Sequence, residues 1–179
     1  MGELAPTLGE LPGHQLVTWG GLSHDMPILR IGAAVHEVLL PPQLVHNARY
    51  RGSYQHLDLA VVMKASSTYA HISEIATRLD LPVKFSGSAG RAPTLVAEQR
   101  WSRLREIADA DVITTAMVLC SHLRIGGVLI SAAASHITLL DHVRRLRPEA
   151  KYYDYLGRVR ARIARRVMAE AEAFITTAA

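Results

Sequence analysis

Three carboxylates stand out because each sits beside an apolar segment. Asp25 follows a short apolar run and a Gly20-Gly21 turn at a helix start, Asp58 lies in the apolar stretch 56–63, and Asp111 lies in a helical stretch with mostly apolar neighbours. Such groups need partners, and a hard divalent cation such as Mg²⁺ or Mn²⁺ is one, because oxygen ligands suit it and its charge offsets the gathering of negative groups. Spacing alone equally allows Asp25 as a helix N-cap, Asp58 as a surface residue and Asp111 on a solvated face with Asp109. The nine histidines are scattered without a zinc-ligand spacing. The single cysteine, Cys120, excludes an intrachain disulfide framework and fits a reducing compartment. There is no Gly-x-x-x-x-Gly-Lys phosphate loop, dinucleotide fingerprint, His-Glu-x-x-His or Gly-x-Ser-x-Gly elbow, so those enzyme classes lose weight.

The elements that must position these groups are legible in outline. His14-Gln-Leu-Val-Thr-Trp19 reads as a buried strand ended by Gly20-Gly21. Ser23 and Asp25 then offer N-cap oxygens to a helix with Pro27 in its first turn and Ile28, Ile31, Val35 and Val38 as its apolar face, stopped by Pro41-Pro42. Residues 56–63 read as either a strand end or a helix start. Ile72, Ile75, Ala76 and Leu79 outline a modest helix, and residues 85–93 form a loop by composition. Residues 94–121 read as helical, with Ile107, Asp111 and Thr115 four apart on one face. Residues 126–140 read as a buried helix, too short to cross a bilayer. A last helix carries the stripe Leu156, Val159, Ile163, Val167 and Phe174, which packs back onto its own domain or serves as a partner surface.

A chain of 179 residues with 49% hydrophobic and 20% charged residues is ordinary globular composition. It divides by pattern into a lead-in at 1–13, a core at 14–125 and a helical extension with a basic face at 126–179. The start carries Glu3 and Pro6 rather than a basic, apolar leader, so no export is expected and the location is read as cytoplasmic. Basic and acidic residues balance at eleven each up to residue 140, while residues 141–179 hold nine against five. The tail residues Arg144, Arg145, Arg147, Arg158, Arg162, Arg165 and Arg166 are therefore candidates for phosphate contacts, or else the solvated face of an amphipathic helix.

The string Leu16-Val-Thr-Trp-Gly-Gly-Leu-Ser-His-Asp-Met-Pro-Ile-Leu-Arg30 resembles the second exonuclease motif of the predicted 3'-5' exonucleases related to the proofreading domain of family B DNA polymerases. The resemblance continues through His56-Leu-Asp-Leu59, the helix before Pro82, and Ala108-Asp-Ala-Asp-Val-Ile-Thr-Thr115, which is similar to the third motif. It spans residues 14–123. It implies an α/β, ribonuclease-H-like fold of the DEDD type and removal of nucleotides from a single-stranded 3' end with Mg²⁺ or Mn²⁺ as cofactor. Asp25 and Asp111 would then be the catalytic, metal-holding carboxylates and would approach each other, with His56 and Asp58 in support.

Some positions depart from that pattern. No Asp-x-Glu first motif precedes Leu16, Gly20 stands in place of Asn, His24 in place of Phe, and Ile107 in place of the tyrosine that orients the attacking water. The expectation is a helix-rich, partial ribonuclease-H-like fold with the early strands missing, and an exonuclease-like nucleic-acid-processing domain that does not cut as this chain stands. The alternatives are the C-terminal part of an active exonuclease with a mis-assigned start, and a helical interaction protein with no nucleic-acid role. A homodimer or a protein partner is expected to cover the open edge of the strand at 16–19.

Overall fold

The computed structural model of the chain describes residues 10, 14–45, 55–64, 71–83, 85–87 and 89–178. The lead-in at 1–13 therefore lies outside the described residues except for Glu10, as does the side chain of Phe174. The chain divides into two compact units, residues 1–72 and 73–179.

In the first unit, strand β1 (Leu16–Thr18) pairs in parallel with strand β2 (His56–Asp58), Leu16 opposite His56 and Thr18 opposite Asp58. A parallel pair requires a crossover, and this one contains helices α1 (Asp25–Val35) and α2 (Pro42–Val45). The ambiguous stretch 56–63 proves to be both alternatives in succession, because β2 ends at Asp58 and helix α3 (Leu59–Lys64) begins at the next residue. Arg30 on α1 donates to the carbonyls of Leu44 and Val45 at 3.0 and 3.1 Å, so it satisfies the orphan carbonyls at the end of α2.

The apolar face expected of α1 does not pack as its spacing suggests. Ile28, Ile31 and Val35 are 71%, 67% and 71% exposed, while Met26 and Ala33 are buried. Met26 and Ala33 are seven apart and so share one helical face, and that face is the one that packs.

The second unit is helical: α4 (Ile72–Arg78), a 3₁₀ turn at Ala89–Arg91, α5 (Ala92–Ala97), α6 (Trp101–Ile125), α7 (Ala132–Leu146) and α8 (Tyr153–Ala178). The long helix expected over 94–121 is broken after α5, where Gln99 takes a left-handed φ of 53°. The expected loop at 85–93 already contains the 3₁₀ turn and the start of α5. Helix α7 begins later than the apolar run implied, because Ser131 is extended and its side chain accepts from the Ala134 amide at 3.2 Å, an N-cap. Val128 and Ile130 ahead of that cap are exposed, so the reading of 126–140 as one buried helix fails; within α7 only His136 and Leu140 are fully buried.

Leu156, Val159 and Ile163 on α8 are buried with Leu140. The part of the stripe formed by Leu156, Val159 and Ile163 thus belongs to the chain's own core, while Val167 is half-buried. Two further ties hold the unit. The Tyr152 hydroxyl donates to Asp109 on α6 at 2.8 Å, and burial together with that carboxylate pushes the phenol well above its ordinary value. Thr114, also buried, donates to the carbonyls of Pro82 at 3.1 Å and Ala110 at 2.8 Å.

Two histidines are buried in these cores. His136 Nε2 donates to the Met117 carbonyl at 2.8 Å, and its Nδ1 is buried without a partner. His56 Nε2 lies 2.8 Å from Thr18 Oγ1, and its Nδ1 is likewise buried and unpaired. Charging either ring would leave a buried, unsatisfied N–H at Nδ1, and burial lowers both pKa values from 6.5. An unfolded chain therefore binds more protons than the folded one below about pH 6.5. Stability is expected to be full above that pH and to fall as pH drops through the folded values, by about 1.4 kcal/mol per unit of depression. Urea midpoints measured from about pH 8 to about pH 5 check this, and His136→Gln is expected to flatten the fall.

Candidate functional site

The loop that leads from β1 into α1 is organised by one carboxylate from the neighbouring strand. Asp58 is 1% exposed, and its Oδ1 accepts from the amides of Gly20 at 2.7 Å and Ala60 at 3.0 Å, while Oδ2 accepts from Leu22 at 2.9 Å. The bond to Ala60 makes Asp58 the N-cap of α3, and the other two close the glycine turn. Gly20 adopts a left-handed φ of 73°, a region that glycine enters freely and asparagine tolerates, which accounts physically for a glycine where the resembling motif has Asn. Gly21 has no room for a side chain, since a Cβ there would lie 2.6 Å from Thr18 Oγ1.

This turn delivers Asp25 to the first turn of α1. The N-cap is His24, which makes no side-chain cap, so the expected capping by Ser23 or Asp25 is not what starts the helix. The Met26 amide is instead satisfied by the Gly21 carbonyl at 2.8 Å, and Gly20 O accepts from the amides of Ser23 and His24. Asp25 itself is exposed. His24, in the place of the motif's Phe, is exposed too, its Nδ1 3.1 Å from Gly20 O.

Asp111 belongs to the second unit, on the exposed side of α6, and its carbonyl accepts from Thr115 Oγ1 at 2.8 Å. Ile107, one turn earlier, is 5% exposed and packs as a core residue. Asp109 is bound by Tyr152 and lies 3.6 Å from Arg147, so it is not part of a free acidic face with Asp111.

A two-ion centre needs several carboxylate oxygens free to face the ions. Asp58 has three of its roughly four acceptor positions taken by backbone amides, which leaves little for a cation. Among the described residues, no three His, Cys, Asp or Glu side chains converge in a way that would hold a metal ion.

The seven candidate phosphate-binding arginines divide. Arg144 lies over the Tyr153 ring at 4.4 Å and beside Gly157, where a Cβ would come within 3.4 Å of its Nη2. Arg147 reaches Asp109, and Arg162 and Arg166 both reach Asp80, at 3.4 and 3.5 Å. Arg145, Arg158 and Arg165 are exposed. Arg160, which sequence reasoning passed over, makes a bidentate pair with Asp141 at 2.7 and 2.9 Å and holds that carboxyl below its usual range.

Asp58→Asn tests the clamp directly. One oxygen becomes an amide nitrogen, so a donor would face the Gly20 and Ala60 amides or the Leu22 amide. The expected loss is about 1–3 kcal/mol of stability, read as a lowered denaturant midpoint.

No curated protein and no solved structure matches the chain. No helix among the described residues is long and apolar enough to cross a membrane. A family model does match, over residues 9–158, a longer span than the 14–123 on which the motif resemblance rests, and it includes the glycine turn, the Asp58 clamp and the helix of Asp111. On that match the chain belongs to the family of predicted 3'-5' exonucleases related to the exonuclease domain of PolB.

Proposed function

We propose that this exonuclease-like, nucleic-acid-processing domain does not cut by itself. The observation that carries the reading is Ile107. A buried aliphatic side chain one turn before Asp111 has no group with which to orient a water, where the family pattern has a tyrosine. The parallel pairing of β1 with β2 around a helical crossover supports a partial ribonuclease-H-like arrangement. The core at 14–125 then supplies the motif-bearing scaffold, and the extension at 126–179 adds basic groups, of which Arg145, Arg158, Arg162, Arg165 and Arg166 are exposed, Arg162 and Arg166 being also held by Asp80.

The purified chain, given a 3'-labelled single strand with Mg²⁺ or Mn²⁺, is expected to leave it intact. Degradation that disappears in Asp111→Ala would overturn the reading in favour of an active metal-dependent exonuclease, whereas a contaminating nuclease would survive that substitution.

We also propose that a second copy or a protein partner covers the exposed apolar face of α1. Ile28, Ile31 and Val35 fall at helical spacing on one side of that helix, and such faces are usually buried in an assembly. Light scattering is expected to give a mass above that of the 19.6 kDa chain, reduced by Ile31→Glu; a monomer at micromolar concentration would remove the homodimer.

A further inference from the structure

In the second unit a small cavity of about 40 Å³ opens between Ser86, Gly87 and Arg91 on one side and the start of α6 on the other. Leu95 and Ile107 form its apolar wall, and three guanidinium-bearing residues, Arg91, Arg100 and Arg103, line the rest. Ser86 also lines it, is 2% exposed, and has a buried Oγ with no hydrogen-bond partner. Gly87, beside it, has a φ of 121° and comes close to Arg103, whose Nη2 would lie 3.9 Å from a Cβ built there.

A buried hydroxyl left unpaired costs free energy, so its retention among three arginines needs a reason. Charge supplies one. Glu98 lies 3.4 Å from Arg100 and Glu106 pairs with Arg103, which leaves the lining with one positive charge more than these two carboxylates neutralise. Size supplies another. A water needs about 10–15 Å³ of such space, so the cavity has room for about three oxygen-sized atoms, enough for the donor-facing oxygens of a small oxyanion. Guanidinium groups bind phosphate through paired N–H donors, and a serine hydroxyl can add one more.

We propose that this cavity is a phosphate-binding site, with Ser86 Oγ as a buried donor and Arg91, Arg100 and Arg103 as the charged donors. Phosphate can reach it as the terminal group of a nucleic-acid strand or as the free ion. The first source rests on the nucleic-acid reading above; the site itself does not.

The test uses the full chain and inorganic phosphate, with ionic strength held constant by NaCl so that general salt effects cancel. Phosphate is expected to raise the unfolding temperature along a saturating curve. Ser86→Ala removes the unpaired hydroxyl, so without phosphate it is expected to unfold at the same temperature or higher, yet to weaken phosphate binding about tenfold or more. Arg91→Gln, an exposed position, is expected to weaken it similarly while folding normally. A phosphate response that does not saturate, or that both variants retain unchanged, would overturn the site. A short single strand with a terminal phosphate, compared with the same strand ending in hydroxyls, separates the sources. Displacement of inorganic phosphate by the phosphorylated strand alone assigns nucleic acid, and failure to displace it assigns the free ion. Because none of these readouts involves cleavage, they stand apart from the exonuclease assay.

Discussion

A carboxylate taken out of water has to recover several hydrogen bonds or it destabilises the fold, and Asp58 is placed where it does so entirely on backbone amides. Its two oxygens terminate β2, cap α3 and close the Gly20-Gly21 turn of the adjacent strand at once. The register of the parallel pair, the left-handed Gly20 and the entry of α1 are all consequences of that one side chain finding three N–H groups. The same constraint explains why Gly21 admits no side chain, since the strand must pass close enough for Thr18 to pack over the turn.

The second unit depends on polar ties of a different kind, made between elements distant in the chain. Asp109 collects the Tyr152 hydroxyl and Arg147, and Phe85 packs edge-on to Tyr152 and stacked on Tyr155 with ring centres 5.4 and 5.3 Å apart. Thr114 fastens α6 to the Pro82 carbonyl. These contacts surround the helix that carries Asp111, so the third-motif residue is held on a rigid support while its own side chain faces outward.

Family membership makes this an exonuclease-like, nucleic-acid-processing domain. The turn that presents Asp25 and the helix that presents Asp111 are built in detail, yet the residue one turn before Asp111 serves the core and the wall of an arginine-lined cavity. An aliphatic side chain there favours packing, where a hydroxyl would favour water.

Local interactions made much of this legible in the sequence alone. The strand–glycine turn–helix plan, the helix before Pro82, the last helix with Leu156, Val159 and Ile163, and the family itself all rest on propensity, periodicity or motif order within short windows. Tertiary structure decided what those windows do not contain. Residues 56–63 change from strand to helix because 56–58 pair with β1 while Asp58 caps the next helix through the Ala60 amide, and Ile28, Ile31 and Val35 stay exposed because the unit packs the face of Met26 and Ala33. Arg147, Arg162 and Arg166 are drawn to Asp109 and Asp80, partners 38 to 86 residues away, so a count of tail charge overstates the free basic surface. Ser86 joins Arg91, Arg100 and Arg103 only when the turn folds against α6. Periodicity reports which residues share a face of one element; which face is buried, and which charge is paired, is set by the element that arrives from elsewhere in the chain.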